Sequence, residues 1–140
     1  MATPTDFVYN NARYLFATAQ INWAITPVNA MLVSALYVPS LAHSYVTDVT
    51  AQAGSIVIRD IALTNLGVTS AGVCYGTVPE LGSFLSATQV AGLILYQKLG
   101  SDAASQLLYY TSSGYGFPFL PVGFNYDIGF DQANGGYFQV

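Results

Sequence analysis

The chain has 140 residues, of which 53% are hydrophobic and only 7% charged, and its seven acids outnumber its three bases for a net charge of −4. That length holds one domain, residues 1–140, with a single well-buried core, and the acidic balance argues against nucleic acid, which demands clustered Lys and Arg. A soluble monomer commonly carries about 25% charged residues, so much of this surface is expected to lie against other protein.

The opening MATPTDFVYNNAR lacks the basic start and apolar run of a secretory signal, so synthesis in a cytoplasm is expected. Residues 1–24 read as an N-terminal arm. Within it, YNNARYLFATAQINW is compatible with one short helix over Ala12 to Gln20, capped by Asn10 or Asn11 and closed before Ile25-Thr26-Pro27. From Val28 onward, short apolar and β-branched runs alternate with Gly, Pro, Ser and Asn, the pattern of strands. VNAMLVSALYV, Val28 to Val38, is apolar on both faces, as a central or interface-covered strand is. It is the best apolar stretch of the chain and stops at Pro39, well short of the roughly 20 residues of a membrane span.

YVTDVTA, SIVIRDIAL, AGVCYGTV, TQVAGLILYQ, QLLYYTS and FNYDIGF follow as strands. In the last of these, Phe124, Tyr126, Ile128 and Phe130 alternate with Asn125, Asp127, Gly129 and Asp131. LGSDAAS is a hairpin connection. TSSGYGFPFLPVG is irregular and too apolar for a free loop, so it is expected to lie against something. Asn-Gly-Gly in DQANGGY marks a tight turn, and the closing Tyr-Phe-Gln-Val reads as a final paired strand. The fold expected is all-β, an antiparallel β-sandwich or jelly-roll-like arrangement of seven to nine strands.

Chemistry finds little purchase in this pattern. The only histidine, His43, is the one possible base of a Ser-His-Asp site, but no serine sits in a Gly-x-Ser-x-Gly elbow. Ser40, His43 and Ser44 follow the strand-breaking Pro39, so they read as turn residues bound to backbone or water. Asp127 and Asp131 would stand about 13 Å apart along one strand face, beyond the spacing of glycosidase carboxylates. Single Cys74 permits no internal disulfide and no cysteine-based metal cluster; in GVCYG it reads as a small core residue. DQANGGY only faintly suggests a calcium loop, and no Gly-rich phosphate cradle opens a helix. The expectation is therefore no catalytic residue, no metal and no cofactor.

The order of segments YNNARYLFATAQINW, VNAMLVSALYVPSLAHSYVTDV, LILYQKLGSDAASQLLYY and GFPFLPVGFNYDIGFDQANGGYFQV resembles a family of small virion structural proteins of tailed bacteriophages. The distinctive parts are the Tyr37-Val38-Pro39 to His43 connection and Leu120-Pro121-Val122. The chain departs from the family where Asn22-Trp23 leads into Ala-Ile-Thr-Pro instead of a polar Asp-Thr turn, and between Gly67 and Ser86 it matches only in hydrophobic pattern. The resemblance implies a non-enzymatic virion component, assembled in the host cytoplasm, that decorates or cements the capsid shell, with a tail, neck or baseplate position as the alternative.

On that reading the partners are the major capsid protein or other virion proteins together with further copies of the chain, and neither nucleic acid nor membrane. Many weak contacts would then sum over a symmetric particle. Contact residues are expected among bulky side chains of the arm and the 113–123 segment: Phe7, Tyr9, Tyr14, Tyr115, Phe117, Phe119 and Leu120. Packing within the domain is the competing role for each. The rival function from another class is a carbohydrate-binding or receptor-recognising β module.

Overall fold

The structure, a computed structural model, describes residues 6–25, 27–77, 83–85, 88–112, 117–120, 122–125 and 138–139. In chain order the elements are β1 (Asp6–Val8), α1 (Asn10–Ala17), β2 (Val28–Val33), α2 (Val46–Thr50), β3 (Ile56–Ala62), β4 (Thr64–Val68), β5 (Val73–Thr77), β6 (Ser83–Leu85), β7 (Gly92–Gln97), β8 (Leu107–Thr111), β9 (Val122–Asn125) and β10 (Phe138–Gln139). Every strand pair is antiparallel, and the two helices are short, so the fold is all-β. Seven of these strands have four residues or more, while β1, β6 and β10 have two or three.

The largest sheet runs β1-β8-β7-β2-β3, a second runs β10-β5-β4, and β6 pairs with β9. Its centre explains the composition. All six residues of β2 and all five of β8 are buried, as are the first five of β7. A strand covered on both faces needs apolar side chains at successive positions, which VNAMLV, GLILY and LLYYT supply. Each fully buried Leu or Ile contributes roughly 1.5–3 kcal/mol over leaving it in water. Ala12 and Leu15 of α1, Val46 and Val49 of α2 and Cys74 of β5 join the same buried cluster. Burial pushes the Cys74 thiol up to about 11, so the thiolate is scarce at neutral pH.

The helix expected in the arm is present, but it starts earlier, at Asn10, and its cap residue is Tyr9, in extended conformation. Asn11 does not cap; its side-chain amide donates to Gln106 Oε1 at 2.8 Å. The β7–β8 hairpin forms across LGSDAAS, and the C-terminal strand pairs with β5. YVTDVTA is a correction, since Val46–Thr50 is helical. The Asp48 carboxylate accepts the backbone N–H groups of Ser44 at 2.8 Å and Tyr45 at 3.0 Å. Those bonds favour a helical turn over a strand, and Val46 and Val49, three apart, both reach the core. β4, TNLGV, lies between the runs expected as strands and was not among them. The alternation beyond Asn125 and the DQANGGY turn lie outside the described residues, as do Asp127 and Asp131.

Between β3 and β4 the chain changes sheets at one residue, Leu63, which is buried and whose N–H donates to Val28 O at 3.0 Å. Two bulges flank it. Ala30 faces Ile61 and Leu32 faces Ile58, so Arg59 and Asp60 together oppose Met31; Asp60 takes φ 61°. On β4, Asn65 takes φ 54° where Asn65 and Leu66 together oppose Gly76. Asp and Asn tolerate this left-handed conformation better than other non-glycine residues, and the bulges supply the bend that a one-residue corner requires.

Candidate interaction surface

β2 ends at Val33 and not at Val38 because Ser34 redirects the backbone. Its N–H donates to Ser55 O at 2.8 Å, its hydroxyl to Gly54 O at 2.7 Å, and it accepts the Leu36 N–H at 3.2 Å, closing a serine turn. Gly54 has φ 74°, and Leu36 Cδ1 lies so close that a Cβ there would fall 2.8 Å from it. The chain that follows, residues 34–45, runs over the surface, and its apolar side chains split into two sets.

Tyr37 points inward. Its hydroxyl hydrogen-bonds the Tyr9 hydroxyl at 2.8 Å and His43 Nδ1 at 2.9 Å. Around this chain Phe7 packs edge-on to Tyr9 at 5.0 Å and Tyr37 edge-on to Tyr110 at 5.6 Å. Burial raises the Tyr9 and Tyr37 phenols well above their ordinary range, so both are neutral hydrogen-bonding groups. Burial also works against the Asp48 carboxylate, but the Ser44 and Tyr45 amides and nearby His43 outweigh it and hold Asp48 below the usual range.

Outward, Leu36 is 62% and Val38 64% exposed, and Leu41 and Tyr45 are exposed beside them in sequence. The backbone beneath is clamped along its length. Gln52 accepts the Val38 N–H at 2.7 Å and donates to Val38 O at 3.3 Å. Asn10 donates its N–H to Leu41 O at 3.0 Å, and Leu107 donates to Ser44 O at 2.9 Å. An apolar surface held rigid in this way loses little entropy on docking.

His43 is brought to Tyr37, while the two neighbouring serines bond to the backbone of their own turn: Ser40 accepts the Ala42 N–H at 3.2 Å and Ser44 donates to Ala42 O at 3.5 Å. Among the described residues, no three His, Cys, Asp or Glu side chains come together as ligands for a metal, and no helix is long and apolar enough to cross a membrane.

The contact residues expected from sequence are redistributed. Phe7 lies in a strand, β1, and is buried, and Tyr9 is 0% exposed; both pack within the domain, the competing role given for them, and the placing of Phe7 in a non-strand arm is corrected. The reason is pairing, since β1 closes the sheet edge against β8 and turns these rings inward. Tyr14, on α1, is 61% exposed. Phe117 and Phe119 are half-buried and stack at 5.9 Å, and Phe119 exchanges two backbone hydrogen bonds with Val90, at 2.7 and 2.9 Å. That segment therefore lies against the domain's own chain, with Leu120 exposed. Tyr115 lies outside the described residues. Sequence reasoning missed Leu36 and Val38 by extending β2 through them, Tyr45 by placing it in a strand, and Leu41 by leaving it in a connection after Pro39. The available signal was charge: no Asp, Glu, Lys or Arg occurs between Arg13 and Asp48.

Charge gathers elsewhere. Arg59 forms a two-pronged pair with Asp102, Nη1 to Oδ2 at 3.0 Å and Nη2 to Oδ1 at 2.6 Å. Tyr96 and Lys98 donate to Asp60 Oδ1 at 2.6 and 3.1 Å. The hydrogen bonds from Tyr96 and Lys98 hold Asp60 below the usual carboxylate range against partial burial, and Arg59 does the same for Asp102. Burial, helped by the Asp60 carboxylate, pushes the Tyr96 phenol up to about 12. Two bases and two acids cancel, so this cluster offers no net charge to a ligand. It sits on β3, an edge strand of the large sheet, where charges and bulges block addition of a foreign strand.

Comparison of the chain with protein-family models, with curated proteins and with solved structures finds no match.

Proposed function

We propose that this protein is a non-enzymatic structural protein of a tailed-phage virion that decorates or cements the capsid shell, and that it grips the major capsid protein or a neighbouring virion protein through the 34–45 connection. The observation that carries this reading is a rigid, charge-free segment that displays Leu36, Val38, Leu41 and Tyr45 to solvent while Tyr37 and His43 anchor it from below. Interface cores are depleted of charge and enriched in aromatic and aliphatic anchors. The same stretch, Tyr37-Val38-Pro39 to His43, is one of the two distinctive parts of the resemblance to small virion proteins. The work done is adhesion: each contact is weak, and repetition over a symmetric particle multiplies it.

The test is co-sedimentation of the purified chain with shells of its phage assembled without it. The expected result is saturation at a fixed ratio to shell protein, lost in Leu36→Ser/Val38→Ser with folding intact. Failure of the unaltered chain to bind shells would refute the decoration role, and binding to purified tails would move the protein there. A sugar that perturbs tyrosine fluorescence would favour the carbohydrate-binding alternative.

A further inference from the structure

The 34–45 segment is pinned from below by a relay of two hydroxyls and one imidazole. The Tyr9 and Tyr37 hydroxyls lie 2.8 Å apart, and the Tyr37 hydroxyl lies 2.9 Å from Nδ1 of His43, the chain's only histidine. Both tyrosines are buried, so the relay must satisfy itself.

Counting protons fixes its direction. Two links need two donors and an acceptor at the end. A neutral imidazole with its proton on Nε2 supplies that acceptor: Tyr9 donates to Tyr37, and Tyr37 donates to His43 Nδ1. A proton on Nδ1 makes three donors for two links, and a buried donor left without an acceptor bears its full desolvation penalty.

The surroundings do not restore the missing acceptor. Tyr110 of β8, edge-on to Tyr37, is a phenol whose pKa is raised by burial, so it stays protonated. Asp48 of α2 attracts a charged His43, but its Oδ2 already accepts the Ser44 and Tyr45 N–H groups, and an imidazolium drawn toward it lets go of Tyr37. From α1, Asn10 meets the segment through its backbone N–H, and exposed Arg13 adds a like charge screened by water.

We propose that the relay is a pH latch: neutral His43, as the Nε2–H tautomer, holds residues 34–45 down, and its protonation loosens the segment, so that the docked partner is released in mild acid. Histidine is the side chain that changes charge between about pH 5 and 8, and a proton taken up more readily by the loosened segment shifts the chain toward that state. As a control on docking the inference rests on the proposed role of residues 34–45, but the latch itself is measured on the chain alone.

Nitrogen-15 NMR of the single imidazole, combined with amide hydrogen exchange on the full chain, tests it. At pH 8 the Nε2–H tautomer is expected, and Nδ1–H there would overturn the proposal. The pH is then lowered until the ring shifts report the cation. The Asn10 and Leu107 amides, which donate to Leu41 O and Ser44 O, should then lose protection roughly tenfold relative to those of β2 and β7, after correction for intrinsic rates. This step should vanish in His43→Gln, which has no proton to gain, and in Tyr37→Phe, which should also lose the tautomer preference. Unchanged protection once His43 is charged, a step that survives in His43→Gln, or an imidazole that stays neutral until the whole domain unfolds would each overturn the latch. Shells should be released across the step by the unaltered chain and held by His43→Gln. A chain that shows the step but binds no shells at any pH would uphold the latch and sink the decoration role alone; shells held by the unaltered chain through the step would overturn the proposal and leave the decoration role standing.

Discussion

Two surface regions of this molecule use opposite physics. On β3 and the β7–β8 hairpin, two of the chain's three basic residues meet two acids in a compact, self-neutralised cluster. Along residues 34–45 there is no Asp, Glu, Lys or Arg, and Ser34, Tyr37 and His43, with the Gln52 amide from outside the stretch, hold the chain from beneath. An edge strand must refuse partners, and charge with bulges does so. A docking segment must release water cheaply, and apolar side chains on a fixed backbone do that. With so few charges available, their placement separates the charged edge from the charge-free segment proposed to dock.

Breaking the support of the docking segment should have the largest effect. Tyr9→Ala removes a fully buried ring and the end of the hydroxyl chain, and is expected to cost about 3–5 kcal/mol in urea unfolding. Tyr37→Phe keeps the ring but leaves the Tyr9 hydroxyl and His43 Nδ1 without their shared partner, for about 1–3 kcal/mol.

The charged cluster is worth less. Its side chains are a quarter to a half exposed, so Asp102→Asn should cost at most about 1 kcal/mol, and less as salt is added. It also sets an acid limb. Asp60 and Asp102 are held below their unfolded value when the chain is folded, so the unfolded chain binds more protons in that window. Their contribution is complete above about pH 3.9 and is lost as pH falls through the lowered folded values. Thermal unfolding across that range should show a shallower decline in Asp102→Asn than in the unaltered chain.

Smallest is the change at the docking segment's outer face. Leu36→Ser/Val38→Ser should shift stability by no more than about 0.5 kcal/mol per site, because both side chains are already in water. A large loss of stability there would mean that these residues pack within the domain, and the contrast between the two regions would collapse.

Much of the frame was legible in residue order. VNAMLV announces a strand covered on both faces, GLILYQ and LLYYT announce strands, and Gly100, Ser101 and Asp102 announce the hairpin between the last two. Those signals are local: a period, a run of apolar residues, a turn former. The helix at Val46–Thr50 was not legible, because its β-branched residues favour a strand and its Asp48 bonds depend on how Ser44 and Tyr45 are presented.

The candidate surface divides along the same line. From residue types alone follow an all-β fold, a scarcity of charge and a surface poor in groups that hold water. Which aromatic rings are core and which are offered came only with the tertiary structure. Phe7 and Tyr9 are as bulky as Tyr14, but β1 pairs with β8 and turns them inward, while Ser34 ends β2 early and turns Leu36 and Val38 outward. Hydrophobicity states that a side chain seeks cover; only strand pairing and chain reversal decide whether the cover lies within the domain or in a partner.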